Sequence, residues 1–276
     1  MMDEEETSLR EAADRAEEVS DTKTLDVAAR FGFAVMAVLH IIIGAIAISL
    51  AFGGSGQAEP TGAIAELAAS PWGPAVLWAC AAGCVGLALW QLSEATLRAR
   101  HLPTGERLGK TITSGFLAVA YGSIGLTFGN FALGVRSDSG DSTRDFTVAL
   151  MRAPLGSAAL LGLGAVIAGI GVYFEVKGLR RTFREELAHF EQQRRGRIVE
   201  AFGVVGHVAK GVALNLVGLL FIVAVVKQDP QESTGLDGSL KALRDQAYGP
   251  YLLLAIGAGF ICYGIFALLR SRFGRM

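Results

Sequence analysis

The chain has 276 residues, 51% of them hydrophobic and only 18% charged, with 35 glycines, a mean hydropathy of +0.43 and a formal net charge of −1. Such a composition excludes an ordinary soluble domain and points to the membrane. The near-neutral balance, with no basic patch interleaved with aromatics, gives no footing for a nucleic-acid partner.

Residues 1–26 carry ten acidic side chains before any apolar run, which predicts a disordered or weakly helical cytoplasmic tail and not a cleaved secretory signal. Six apolar runs follow: Phe31–Phe52, Pro74–Leu92, Ile112–Leu133, Leu155–Phe174, Gly203–Val226 and Tyr251–Leu269. Each is about 19–24 residues long, enough as a helix to cross a hydrocarbon core of roughly 30 Å. They lack the alternation of strands, and helices satisfy their own backbone hydrogen bonds in lipid. Eighteen Lys and Arg lie in the termini and the even-numbered loops, against six in the odd-numbered loops. The positive-inside rule then predicts an inner-membrane protein with both termini in the cytoplasm.

The runs are organised as repeats. Ile64 to Glu94, Thr147 to Lys177 and Leu240 to Arg270 align without gaps, sharing Leu67/Leu150/Leu243, Gly73/Gly156/Gly249, Leu77/Leu160/Leu253 and the aromatic set Trp90/Tyr173/Phe266. Gly32 and Gly44 fall on Gly206 and Gly218. The expected fold is therefore all-α and integral to the membrane, with six transmembrane helices in three tandem parallel hairpins around a pseudo-threefold axis. The expected units are the acidic tail over 1–26, hairpins over 27–100, 101–177 and 201–276, and a basic amphipathic cytoplasmic helix over 178–200. That last segment begins at Lys177, places Leu179, Phe183, Leu187 and Phe190 at helical spacing on one apolar face, carries seven Lys and Arg up to Arg197, and suits an anionic inner leaflet. Ala63–Ala69, Phe146–Arg152 and Gly238–Ala247 read as short interfacial helices, or alternatively as an outer lid. Gly162, Gly164, Gly169, Gly171, Gly203, Gly206, Gly211, Gly257 and Gly259 are expected to let helices approach closely.

Candidate chemistry is sparse. Lys210 stands about seven residues inside the fifth span and pairs with Glu94 or Glu175, snorkels to the surface, or faces a solute path. Asn215 extends its polar face, and His40 sits mid-span among isoleucines. A bis-histidine haem between His40 and His207 is a distant third reading, because the two differ in depth by about seven residues, roughly 10 Å along a helix. Cys80, Cys84 and Cys262 form no CxxC and read as packing residues, not metal ligands. No nucleophile–base pair, Walker or dinucleotide fingerprint, or HExxH is present, so neither an enzyme nor a cofactor is expected.

Three elements carry a resemblance: Ala29-Arg30-Phe31-Gly32 leading an outgoing helix, Pro71-Trp72-Gly73 closing the outer segment, and Trp90-Gln91-Leu92-Ser93-Glu94-Ala95 ending the returning one. Together they resemble the two-helix unit of a bacterial family, domain of unknown function 1206, typical of actinobacteria. The resemblance implies a six-helix plasma-membrane protein with the unit three times over and brings no activity with it. Two function classes follow from the residues. The favoured one is a non-catalytic membrane interaction, lipid-binding or scaffold protein with a dry centre, whose partner is another protein or a second copy. The alternative is a small-solute or ion transporter with a pocket at Lys210, His40 and Asn215.

Overall fold

A computed structural model describes residues 23–101, 103–136, 138–186, 194–233 and 235–274. The described chain holds nine α-helices and no strand: α1 (Lys23–Ala51), α2 (Pro60–Ala68), α3 (Gly73–Thr96), α4 (Thr104–Ala132), α5 (Ser139–Met151), α6 (Gly156–Arg180), α7 (Arg194–Lys227), α8 (Gly235–Arg244) and α9 (Gly249–Phe273). Helices α1, α3, α4, α6, α7 and α9 are long and apolar enough to cross a membrane, one for each expected span. The short helices α2, α5 and α8 sit between the spans of each hairpin and define a loop side, opposite the terminal side. The expected tail falls almost wholly on residues 1–22, outside the described residues.

The repeated glycine at the head of each returning helix has a steric cause. A Cβ at Gly73, Gly156 or Gly249 would collide with the backbone carbonyl of Ala68, Leu150 or Leu243, where the short helix ends and the chain folds back. The repeated leucines Leu77, Leu160 and Leu253 are all buried. Ile64 of α2 and Leu240 of α8 are buried too, inside a cluster with Leu39, Ile43, Leu50 and Phe128 that fills the loop-side half. The short helices therefore plug the centre from the loop side.

Each outgoing span packs most extensively on a neighbouring repeat's returning span: α4 on α3, α7 on α6, and α1 on α9. In the α1–α9 and α6–α7 joints these are glycine contacts of backbone on backbone, whereas in α3–α4 Gly125 lies against the Cys84 side chain. A methyl at Gly44 would lie 2.5 Å from the Gly257 carbonyl oxygen, and one at Gly171 would lie 2.7 Å from that of Gly211. Within hairpins, α1 packs on α3 and α7 on α9, but α4 and α6 share no comparable interface. The ring of six spans is thus open at one seam. The crossbar explains it: α5 has 13 residues where α2 has 9 and α8 has 10, and three or four more residues at 1.5 Å rise hold α4 and α6 about 5 Å further apart. Accordingly Gly162 and Gly169, expected to pack, have nothing within 4 Å of a built Cβ.

The expected amphipathic helix over 178–200 is not continuous. Helix α6 ends at Arg180, Arg181 adopts the left-handed conformation with φ 59°, and a 3-10 turn spans Thr182–Glu186. Residues 187–193 lie outside the described residues. Phe183, expected on the apolar face of that helix, is instead fully buried on Gly203 and His207, while Leu179 is exposed. The close fit of a ring on a glycine is worth more than extending a helix whose polar face already has solvent.

On the loop side the three repeats meet in one polar junction. Glu59, 2% exposed, accepts from the Thr61 hydroxyl at 2.6 Å, and Ser139 of the second repeat donates to that hydroxyl at 3.1 Å. Gln57 donates to Asp138, while Asp237 of the third repeat accepts from the Ala58 amide at 2.8 Å and from Lys241 at 2.6 Å. Burial, and then the nearby Asp237 and Asp138 carboxylates, push the Glu59 carboxyl above its ordinary 4.5, against the Thr61 hydrogen bond.

Two outcomes follow. Gly44→Val should lower stability by about 1–3 kcal/mol through overpacking, whereas Gly162→Val should change it by no more than about 0.5 kcal/mol; thermal melting in one detergent distinguishes them. For Glu59 the raised pKa means that its contribution is complete below pH 4.5 and is lost as pH rises through the raised value. Melting from acid to neutral pH should therefore show Glu59→Gln matching the wild type in acid and surpassing it at neutral pH.

Candidate functional site

The terminal-side half of the ring is not filled by the central cluster. A small pocket lies there, lined by Phe33 and His40 of α1, Tyr121 of α4, Lys210 of α7, and Tyr263 and Arg270 of α9. Lys210 is held by aromatic groups: its Nζ donates to the Tyr263 hydroxyl at 3.2 Å and stands 4.3 Å and 4.7 Å from the ring centroids of Tyr263 and Phe174. A desolvated ammonium gains from such ring faces without giving up its charge. Arg270 stacks over Phe33 at 4.5 Å, at the terminal-side end of α9.

His40 shares this pocket. Its Nδ1 is 2.6 Å from the Met36 carbonyl oxygen. A carbonyl only accepts, so Nδ1 carries a proton and donates. His207 repeats the pattern, with Nδ1 2.7 Å from the Gly203 carbonyl oxygen, and its ring stacks on Phe183 at 5.0 Å and 13°. The Tyr263 ring stands against both imidazoles, 4.7 Å from His40 and 5.2 Å from His207. The space a haem would need between them is taken by that tyrosine. Among the described residues no group of three or more His, Cys, Asp or Glu side chains could hold a metal ion.

The other expected site residues are elsewhere. Asn215 of α7 donates to Glu175 of α6 at 2.8 Å, beside the Gly171–Gly211 contact. Glu94 of α3 bridges to Lys110 of α4 at 2.5 Å. The expected set thus divides in three: Lys210 with His40 at the pocket, Asn215 with Glu175 between α6 and α7, and Glu94 between α3 and α4. The last two join neighbouring repeats.

Sequence reasoning missed Tyr263, the group that organises the pocket; a tyrosine in an aliphatic span, with a hydroxyl to satisfy, was the available signal. It also missed that Arg30 ties α1 to α9, donating to the carbonyls of Ser271 (3.2 Å), Arg272 (2.9 Å) and Gly274 (3.1 Å) at the end of α9. The loop-side half is filled by buried side chains, and the small pocket lies in the terminal-side half without Asn215.

The family model "Domain of Unknown Function (DUF1206)" matches residues 31–98, 114–181 and 205–274. The chain belongs to this family, with its unit present three times. It is similar to "Uncharacterized protein YxxB" of Bacillus subtilis (strain 168), 26% identical over 254 residues, covering 90% of each chain. No solved structure matches.

Counted from the start of each DUF1206 match, Phe33, Phe116 and His207 are equivalent. Phe33 packs edge-to-face on Trp90 at 6.0 Å, and His207 on Phe266 at 5.1 Å. In the second repeat Phe116 and Tyr173 are instead exposed, at 60% and 57%. The open seam is what separates them.

Removing the Asn215 donor leaves a carboxylate without its hydrogen bond. Asn215→Leu should cost about 0.5–2 kcal/mol, and the double variant with Glu175→Leu should cost less than the two single changes together, as read from a melting-derived double-mutant cycle.

Proposed function

We propose that this protein is a non-catalytic membrane interaction or lipid-binding protein whose terminal-side pocket does not pass a solute across the bilayer. One observation carries the reading: the pocket that gathers Lys210 and Arg270 stops against the buried cluster of the loop-side half. A solute path needs a route out on both sides, and here α2 and α8 send Ile64 and Leu240 into that route. The excess of basic residues on the terminal side supports placing that side in the cytoplasm, and a multi-pass DUF1206 protein of this charge pattern suits the inner membrane.

Transport is the competing reading, favoured by the position of Lys210 inside a span. The two separate by accessibility. With Cys80, Cys84 and Cys262 replaced by alanine, Lys210→Cys in sealed vesicles should react with a membrane-impermeant maleimide from the terminal side alone. Reaction from the loop side at a comparable rate would mean alternating access and replace binding by transport.

A further inference from the structure

The N-terminal ends of the three short helices come to one buried carboxylate. Glu59 stands immediately before α2, Asp138 immediately before α5, and Gly235 opens α8 with Asp237 in its first turn. The Glu59 side chain reaches all three. Its Oε1 accepts from Thr61 of α2 at 2.6 Å, the Ser139 backbone of α5 hydrogen-bonds to it, and its Oε2 lies 3.7 Å from where a Cβ on Gly235 would stand. Each repeat also brings one acid to this point, as Glu59, Asp138 and Asp237. Lys241 is engaged with Asp237, and Asp138 accepts from the uncharged Gln57. Charges further along the neighbouring elements pair among themselves, Arg144 with Asp141 on α5 and Lys227 with Glu232 ahead of α8. Burial, and then the two carboxylates beside it, favour the proton on Glu59 over the hydrogen bonds from Thr61 and Ser139 that favour its loss.

The helices joined here are the ones that close the centre. Ile64 follows Glu59 on α2 and Leu240 follows Asp237 on α8, and both are fully buried in the loop-side cluster. With 9 and 10 residues, α2 and α8 are too short to hold their shape without such contacts. We propose that the junction is a proton-operated latch on the loop-side plug: with Glu59 protonated the ends of α2, α5 and α8 lock together, and with Glu59 ionised they part and release Ile64 and Leu240. The proton goes to the loop-side solvent and returns from it. At 2% exposure the carboxylate can be hydrated only if the helix ends separate, so ionisation and opening are one event. The latch is tightest in acid and weakens as pH rises through the raised value of Glu59. It acts in the half of the ring opposite the pocket and goes beyond the binding reading.

The test is hydrogen–deuterium exchange of the full chain in phosphatidylcholine nanodiscs from acid to neutral pH, with rates corrected for the pH dependence of the chemical exchange step. Amides of α2 and α8 should lose protection about tenfold or more across that range, while those of α1 and α9 around Gly44 and Gly257 keep theirs. Glu59→Gln should hold α2 and α8 protected at neutral pH. Asp138→Asn keeps a side-chain acceptor before α5 and removes one neighbouring charge, so the loss should become smaller. Protection of α2 and α8 that ignores pH, or is lost equally in Glu59→Gln, would overturn the latch. A loss shared by α1 and α9 would mean unfolding of the whole ring and overturn it as well. Melting checks that each variant is folded; should Glu59→Gln fail, an undiminished loss in Asp138→Asn is the overturning result.

Discussion

Close approach of backbones at glycine is the interaction on which this fold depends. In lipid there is little hydrophobic gain from bringing two apolar helices together, so association rests on packing and on scattered polar contacts. Gly44 on Gly257, Gly171 on Gly211 and Gly164 on Gly218 bring helices of different repeats near enough for their main chains to touch. Polar contacts at Arg30, Lys110 and Asn215 then reinforce the α1–α9, α3–α4 and α6–α7 joints respectively. The repeat is thus less a unit that folds by itself than half of each of two interfaces.

That arrangement explains how one repeat can differ without the whole failing. The two spans of the second hairpin share no comparable interface, yet α4 and α6 are each held by a neighbour, α3 and α7, and the polar junction of Glu59, Asp138 and Asp237 ties their loop-side ends to the other repeats. A strictly symmetric ring would have closed around a filled centre. The terminal-side half keeps a small recess instead, and Lys210 stands within it.

Much of this was legible in the sequence. The six spans and the parallel repeats follow from hydropathy and from Gly73, Gly156 and Gly249, because length in lipid and a collision with a carbonyl are local demands, and the family is legible by resemblance in Ala29-Arg30-Phe31-Gly32, Pro71-Trp72-Gly73 and Trp90-Gln91-Leu92-Ser93-Glu94-Ala95. Lys210 was visible because charge in an apolar run is rare. Its setting was not: Tyr263 comes from a distant span and has no counterpart marked by repetition. The seam was hidden for a related reason. It arises from a few additional residues in α5, and the apolar face of α6 reads the same whether it meets a helix or lipid. The break at Arg181 was missed because periodicity in Leu179, Phe183 and Leu187 measures spacing and is blind to the glycine at 203 that draws Phe183 inward.

The α1–α9 joint has a consequence for how the molecule is made. Its two helices are the first and the last spans to leave the ribosome, separated by the entire chain between them. Until α9 is synthesised, Gly44 has no Gly257 to meet and the Arg30 guanidinium has no helix end to cap. The nascent protein must therefore wait in the bilayer as two groups of spans, α1 with α3 and α4 and α6 with α7, lacking the joint that α9 makes between them, with α1 exposed along the face that will be its most extensive contact. Assembly is gated by the final span, and a chain stalled before it presents a glycine-lined helix to whatever neighbour or quality-control protease reaches it first.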